Sequence, residues 1–224
     1  MITALIFDFD GLIIDTETPV LQSWQELYTE YNVELPLEEW LTCIGADYTE
    51  DTFQPYTYLE RALGHSLDWE TITPRRYRRE LELAHAQPLL PGVMDYISGA
   101  RQRGLKLGVA SSSSCEWVVG HLERLGLAPY FDAVRCADHV TALKPDPALY
   151  IEALAALGVP AAEAIALEDS ANGVLAARRA GLFCVAVPNA LTRHMDFSQA
   201  DLRVESLAAL PLDDLLAWFA DGAR

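Results

Sequence analysis

ALIFDFDGLIIDTE, residues 4–17, runs from a short apolar stretch straight into four carboxylates: Asp8, Asp10, Asp15 and Glu17. The apolar part is partly β-branched and stops at a glycine, which predicts a short buried strand over residues 2–9. Like charges this close repel, and burying one is costly unless something compensates. The rest of the chain has to supply that compensation.

Downstream, PVLQSWQELYTEY (19–31) has apolar residues at helical spacing, with Thr18 as cap and Pro19 in the first turn. Residues 36–87 carry aromatics, Glu and Arg with helical periodicity and few β-branched runs. LPLEEWLTCIG, TEDTFQPYTYLERALG and TPRRYRRELELAHA predict three more helices, the last starting at Thr73–Pro74. From QPLLPGV (87–93) the style changes to alternation. VMDYISGARQRG, CEWVVGHLERLG, PALYIEALAALG, NGVLAARRAG and SLAALPLDDLLAWFA read as helices; LKLGVA, FDAVRCAD, AIALE and FCVAV read as strands.

Strands alternating with helices predict a parallel sheet covered on both faces. The expected fold class is α/β: a doubly wound parallel-sheet (Rossmann-like) core with an inserted all-helical domain. The expected boundaries are 1–15 and 89–224 for the α/β core and 16–88 for the inserted helical domain. Ligands of such cores sit at the carboxyl ends of the strands. That rule places Asp8, Asp10, Ser111, Lys144 and Asp169 on one rim.

Composition narrows the partners. The formal net charge of −17 argues against nucleic acid and against anionic membranes. No window reaches the roughly 18 uncharged apolar residues of a membrane span, and the N-terminus shows no signal-peptide pattern. The four cysteines, Cys43, Cys115, Cys136 and Cys184, are far apart, as reduced thiols of a cytoplasmic protein would be. The charge still leaves room for a small phosphorylated metabolite as partner where a local cation offsets the field, and a monomer is favoured. Only Lys106 and Lys144 among 16 basic residues are lysine, which draws attention to each.

DFD and AIALEDS both end apolar strands in acids. Asp8, Asp10, Glu168 and Asp169 together need a hard divalent cation, and Mg²⁺ suits oxygen-only ligands with a substrate phosphate. No His pair or Cys cluster offers a zinc alternative. Lys144, in the stiff LKPDP loop, supplies an ammonium for the carboxylates and phosphate. Ser111 follows the last apolar residue of its strand. Its hydroxyl, with Ser112 and Lys144, is a candidate phosphate grip. No GxSxG surrounds it, so it is not read as a nucleophile. Asp8 is the candidate nucleophile, giving an aspartyl-phosphate. Asp10 is the candidate acid and then base.

These motifs resemble the haloacid dehalogenase superfamily of phosphohydrolases over nearly the whole chain. The likeness is to the branch with a helical cap after the first motif, which includes beta-phosphoglucomutase and many sugar-phosphate phosphatases. DFDGLIIDTE resembles the first motif, VASSS the second, LKPDP the third and LEDSANGVLAARRAG the fourth. The resemblance implies that Asp10 gives Mg²⁺ its backbone carbonyl and that Glu168 and Asp169 are metal ligands. It differs in having Leu12 where Thr or Val is common, and in a loop, CIGADYTEDTF, without the arginine of beta-phosphoglucomutase.

The leading expectation is a Mg²⁺-dependent hydrolase, a phosphatase of a small phosphate monoester, with a sugar phosphate foremost. A phosphosugar mutase is the enzymatic alternative. A receiver-like phosphoacceptor signalling module is the alternative from another class, although its paired acids precede the phosphorylated one. The RRYRR run, Arg75 to Arg79, is expected to be an exposed helix face pairing with Glu80 and Glu82. Trp24, Trp40 and Trp69 are expected to pack helices, and His85, His121 and His139 to stay structural.

Overall fold

The computed structural model describes residues 1–41 and 53–220. The chain divides into two compact units, Met1–Ile14 with Leu89–Arg224, and Asp15–Pro88.

The first unit is built on one parallel sheet in the order β3-β2-β1-β4-β5-β6. The strands are β1 (Ala4–Phe7), β2 (Lys106–Ala110), β3 (Ala133–Arg135), β4 (Ala164–Glu168), β5 (Phe183–Ala186) and β6 (Leu202–Arg203). β1 and β4 are buried throughout, as their unbroken apolar runs require of strands covered on both faces. Successive side chains alternate between two cores. Leu5 and Phe7 join Leu107, Val109, Ile165 and Leu167 on one side. There they meet α5 (Val93–Gln102), α6 (Cys115–Arg124) and α9 (Leu212–Ala220). Ala4, Ile6, Ala164 and Ala166 face the other side, against α7 (Ala148–Leu157) and α8 (Ala171–Arg179). The alanines on that face let those two helices approach the sheet closely.

The second unit is helical: α1 (Glu17–Glu30), α2 (Leu37–Leu41), α3 (Pro55–Leu63) and α4 (Trp69–His85). Trp24 lies at its centre, with ring centroids 6.2 Å from Trp40, 4.7 Å from Tyr56 and 6.5 Å from Trp69. The three tryptophans therefore pack helices, as the sequence suggests.

Several boundaries differ from expectation for local reasons. Strand β1 is shorter than residues 2–9. Helix α1 starts at Glu17, because the Asp15 carboxylate accepts the Thr18 N–H at 2.9 Å and so caps the first turn ahead of Thr18. Helix α4 starts at Trp69, not Thr73. Asp68 caps it by accepting the Thr71 N–H, so Pro74 lies inside the helix. The expected last helix is broken by Pro211 into a 3₁₀ turn, Leu207–Ala209, and α9. Two-residue strand β6 has no sequence signal. The loop CIGADYTEDTF and Cys43 lie outside the described residues except for Phe53.

The arginine run is only partly an exposed face. Arg79 pairs with Glu82 as expected, but also with Glu26 of α1, and Arg75 pairs with Glu30. Arg76 is mostly buried, pairing with Glu80 and lying 4.6 Å over the Trp24 ring.

Candidate active site

The strand order puts β1 between β2 and β4, so the residues just past three neighbouring strand ends become neighbours. Phe7 is level with Leu167 and Val109, and the Asp8 N–H continues the ladder to Leu167 O at 2.9 Å. Asp8 therefore emerges beside Glu168. Ser111 emerges on the other side, its N–H donating to Arg135 O of β3 at 2.9 Å.

Asp8, Glu168 and Asp169 are all buried, and one carboxylate oxygen from each lies within 4.8 Å of the others. Lys144 Nζ is 2.7 Å from Asp8 Oδ1 and 2.7 Å from Glu168 Oε1. It sits in the loop between β3 and α7, immediately before the cis Lys144–Pro145 bond. The Tyr150 hydroxyl, from the first turn of α7, also donates to Glu168 Oε1. Tyr150 thus lies beneath both partners, its ring 5.4 Å from the Lys144 ammonium.

Asp169 is oriented from the loop after β5. Asn189 Oδ1 accepts the N–H groups of Leu191 and Thr192 at 2.9 and 3.0 Å, which fixes the amide. Its Nδ2 then donates to Asp169 Oδ2 at 2.7 Å. Gly11 closes this side, with φ of +72°; a Cβ there would overlap Asp169 Oδ2.

Asp10 stands apart from this cluster. Its Oδ2 accepts the hydroxyls of Ser111 at 3.1 Å and Ser113 at 2.7 Å, and its Oδ1 accepts the Trp117 indole N–H at 2.8 Å. Its carboxylate is therefore not grouped with the other three acids, and a contribution to a metal would have to come from its backbone carbonyl. The Ser111 hydroxyl is engaged with Asp10 in this state. Ser112 Oγ is buried without a hydrogen-bond partner among the described residues.

Charge explains the local titration. Three buried carboxylates face one ammonium, which leaves two negative charges in excess when all are ionised. Burial, reinforced by the Glu168 charge and opposed by Lys144, pushes the Asp8 carboxyl up to about 7. Burial disfavours the Lys144 charge, but Asp8 and Glu168 outweigh it and hold the ammonium above the usual lysine range. A hard divalent cation bound by these oxygens would cancel the excess, and the all-oxygen donor set suits one.

Sequence reasoning missed Tyr150, Ser113, Trp117 and Asn189. Asn189 lies just past the end of β5, where the strand-end rule could have found it. Trp117 and Tyr150 lie on helices whose apolar patterns hide their polar tips. His121 is buried against Phe9 and Trp117 and stays structural, as expected.

Two neighbouring strands of this parallel sheet, β1 and β4, thus end in carboxylates bridged by one lysine, a rim whose oxygen donors suit a divalent cation. Residues 5–187 match the family described as haloacid dehalogenase-like hydrolase, and the chain belongs to that family. It is 45% identical over 216 residues to a protein of Bacillus subtilis named putative phosphatase YhcW, covering 96% of this chain and 97% of the other. It is 30% identical to hexitol phosphatase B of Escherichia coli, covering 96% and 97%. Among solved structures it resembles a variant of CbbY from Rhodobacter sphaeroides in complex with xylulose-(1,5)bisphosphate, with TM-score 0.74, 30% identity and coverage of 96% and 99%. The family and these relatives make the chain a hydrolase of the phosphatase kind.

Proposed function

We propose that this chain is a Mg²⁺-dependent phosphatase that hydrolyses a small phosphate monoester, a sugar phosphate, through an aspartyl-phosphate on Asp8. The observation that carries this reading is the Lys144 ammonium shared by Asp8 and Glu168, with Asp169 alongside. The α/β unit holds every candidate residue and is assigned catalysis; the helical unit is assigned the role of a cap. The substrate class follows the phosphorylated sugars and hexitols in the relatives' names. Three described cysteines are free thiols, which suits a reducing compartment, the cytoplasm.

Asp8, Glu168, Asp169 and the Asp10 carbonyl would hold the Mg²⁺. When bound, it would supply positive charge that offsets the carboxylates and the phosphate oxygens. Asp8 attacks phosphorus, and its carboxylate takes the phosphoryl group as the P–O bond to the leaving oxygen breaks. Lys144 stabilises the charge that spreads over the phosphoryl oxygens. Asp10 gives the leaving oxygen its proton, then takes one from the water that releases phosphate.

The bonds around Asp10 fit this exchange. Trp117 N–H can only donate, so Oδ1 stays an acceptor, whereas the serine hydroxyls can donate or accept. The proton is therefore carried on Oδ2. With Oδ2 protonated, Ser111 can accept from it and turn its own hydrogen to a phosphate oxygen. The unpartnered Ser112 hydroxyl offers a second donor.

A panel of phosphorylated sugars, assayed for released phosphate, tests the reading. Release should require Mg²⁺, stop with a chelator and vanish in Asp8→Asn. Undiminished release in that variant would refute the assignment.

A further inference from the structure

The sequence offers no zinc-type cluster, since its cysteines are far apart and His139 has no partner at ligand spacing. The fold overturns that expectation. Cys115 opens α6 just beyond β2, and Cys136 and His139 bracket the turn just beyond β3. Strands β2 and β3 are parallel neighbours, so these segments arrive side by side. Cys115 Sγ, Cys136 Sγ and one ring nitrogen of His139 all lie within 4.8 Å of one another.

The geometry suits coordination. Cys115 Sγ is 3.6 Å from His139 Nδ1. With Zn–S of about 2.3 Å and Zn–N of about 2.0–2.1 Å, the S···N edge of a tetrahedral site is about 3.6 Å. Nδ1 accepts the Cys136 backbone N–H at 3.1 Å, so it presents a lone pair and not a proton. An ion would take that lone pair in place of the N–H. The Asp138 carboxylate accepts the Cys115 N–H at 2.6 Å and ties the two segments together. Cys136 is buried, Cys115 half-buried and His139 exposed. The triad thus has a closed inner side and an open outer side, where an ion can enter and a water can complete the shell.

We propose that Cys115, Cys136 and His139 form a binding site for one thiophilic d-block dication, zinc(II) in its chemistry, separate from the carboxylate cluster. The two sites sort ions by donor type: sulfur and imidazole here, carboxylate oxygen there. Binding replaces both thiol protons, forming two metal–thiolate bonds and one metal–imidazole bond and releasing two protons to solvent. The site adjoins the serine loop, since the Ala137 N–H donates to Ser113 O at 2.9 Å.

Cobalt(II) titration of the whole chain, with excess Mg²⁺ to fill the carboxylate cluster, tests this. One equivalent should produce thiolate-to-cobalt charge-transfer absorption and the intense visible bands of a tetrahedral ion, both erased by one equivalent of zinc. Cys115→Ser and His139→Gln, neither at a fully buried position, should each weaken cobalt binding by more than the roughly 10–100-fold seen when a supporting residue is lost. Because Cys136 is buried and its variants risk misfolding, zinc protection of Cys115 from iodoacetamide in the unmodified chain is the second readout. No charge-transfer band at stoichiometric cobalt, an unchanged band in Cys115→Ser, or alkylation of Cys115 unaffected by zinc would each overturn the site.

Discussion

Lys144 and Glu168 form a buried ion pair at 2.7 Å in which the ammonium is shared with Asp8. Replacing one member of such a pair leaves an uncompensated charge, at a cost of about 3–5 kcal/mol. Lys144→Met should therefore lower both urea stability and turnover. Glu168→Gln should lose less stability, because Asp8 still holds the ammonium. Equal stability losses in the two variants would show that Lys144 is not the shared partner.

Asp8 gives a pH signature. Its carboxyl is pushed up from 3.8 to about 7 by burial and then by the Glu168 charge. Between those values the folded chain keeps a proton that the unfolded chain has lost, so this group's stabilising contribution is full below 3.8 and is lost as pH rises through about 7. In metal-free protein, the urea stability of the unmodified chain relative to Asp8→Asn should fall across that window. Mg²⁺ should flatten the difference by favouring the ionised carboxylate. A difference independent of pH would contradict the shift.

Trp117 should act on rate through Asp10. Trp117→Phe keeps an aromatic ring and removes the N–H that Asp10 Oδ1 accepts. Hydrogen bonds to charged groups contribute about 1.5–3 kcal/mol, so kcat should fall roughly 10–100-fold (a factor of ten per 1.36 kcal/mol) with little change in KM. A KM effect alone would make Trp117 a substrate contact.

Gly11 should control metal affinity. Alanine there would be strained at positive φ, by roughly 1–2 kcal/mol, and its Cβ would overlap the Asp169 carboxylate. Gly11→Ala should raise the Mg²⁺ concentration needed for half activity, measured by titrating activity against Mg²⁺. An unchanged titration would mean that Asp169 is not a ligand.

Tyr150→Phe leaves Glu168 with one donor fewer in a fully buried setting. The expected loss is about 1–3 kcal/mol of stability, readable by urea unfolding, with a smaller effect on turnover than Lys144→Met.

Much of this was legible in the chain. Short apolar strands with helices between them announce a parallel sheet, and the rule that ligands gather at strand ends collects Asp8, Ser111, Lys144 and Asp169 without coordinates. Other features depend on tertiary contact. Trp117 reads as an apolar helix residue until its indole is seen against Asp10. Tyr150 looks like core packing because its ring is core and only its hydroxyl faces Glu168. The Cys115, Cys136 and His139 triad is invisible because its members come from two strand ends that only the sheet order makes adjacent. The start of α4 lies before the strong local signal of Pro74 because Asp68 caps the Thr71 N–H and the Trp69 ring packs on Trp24 of α1 and Tyr56 of α3, the second of which only tertiary contact supplies.

The ammonium of Lys144 also bears on how this chain can change over generations. Drift toward an inactive relative by losing the lysine first would leave behind acids that disfavour the fold itself. Descendants that keep the scaffold but abandon the chemistry should therefore have replaced Asp8, Lys144 and Glu168 as a set, and intermediate sequences should be scarce.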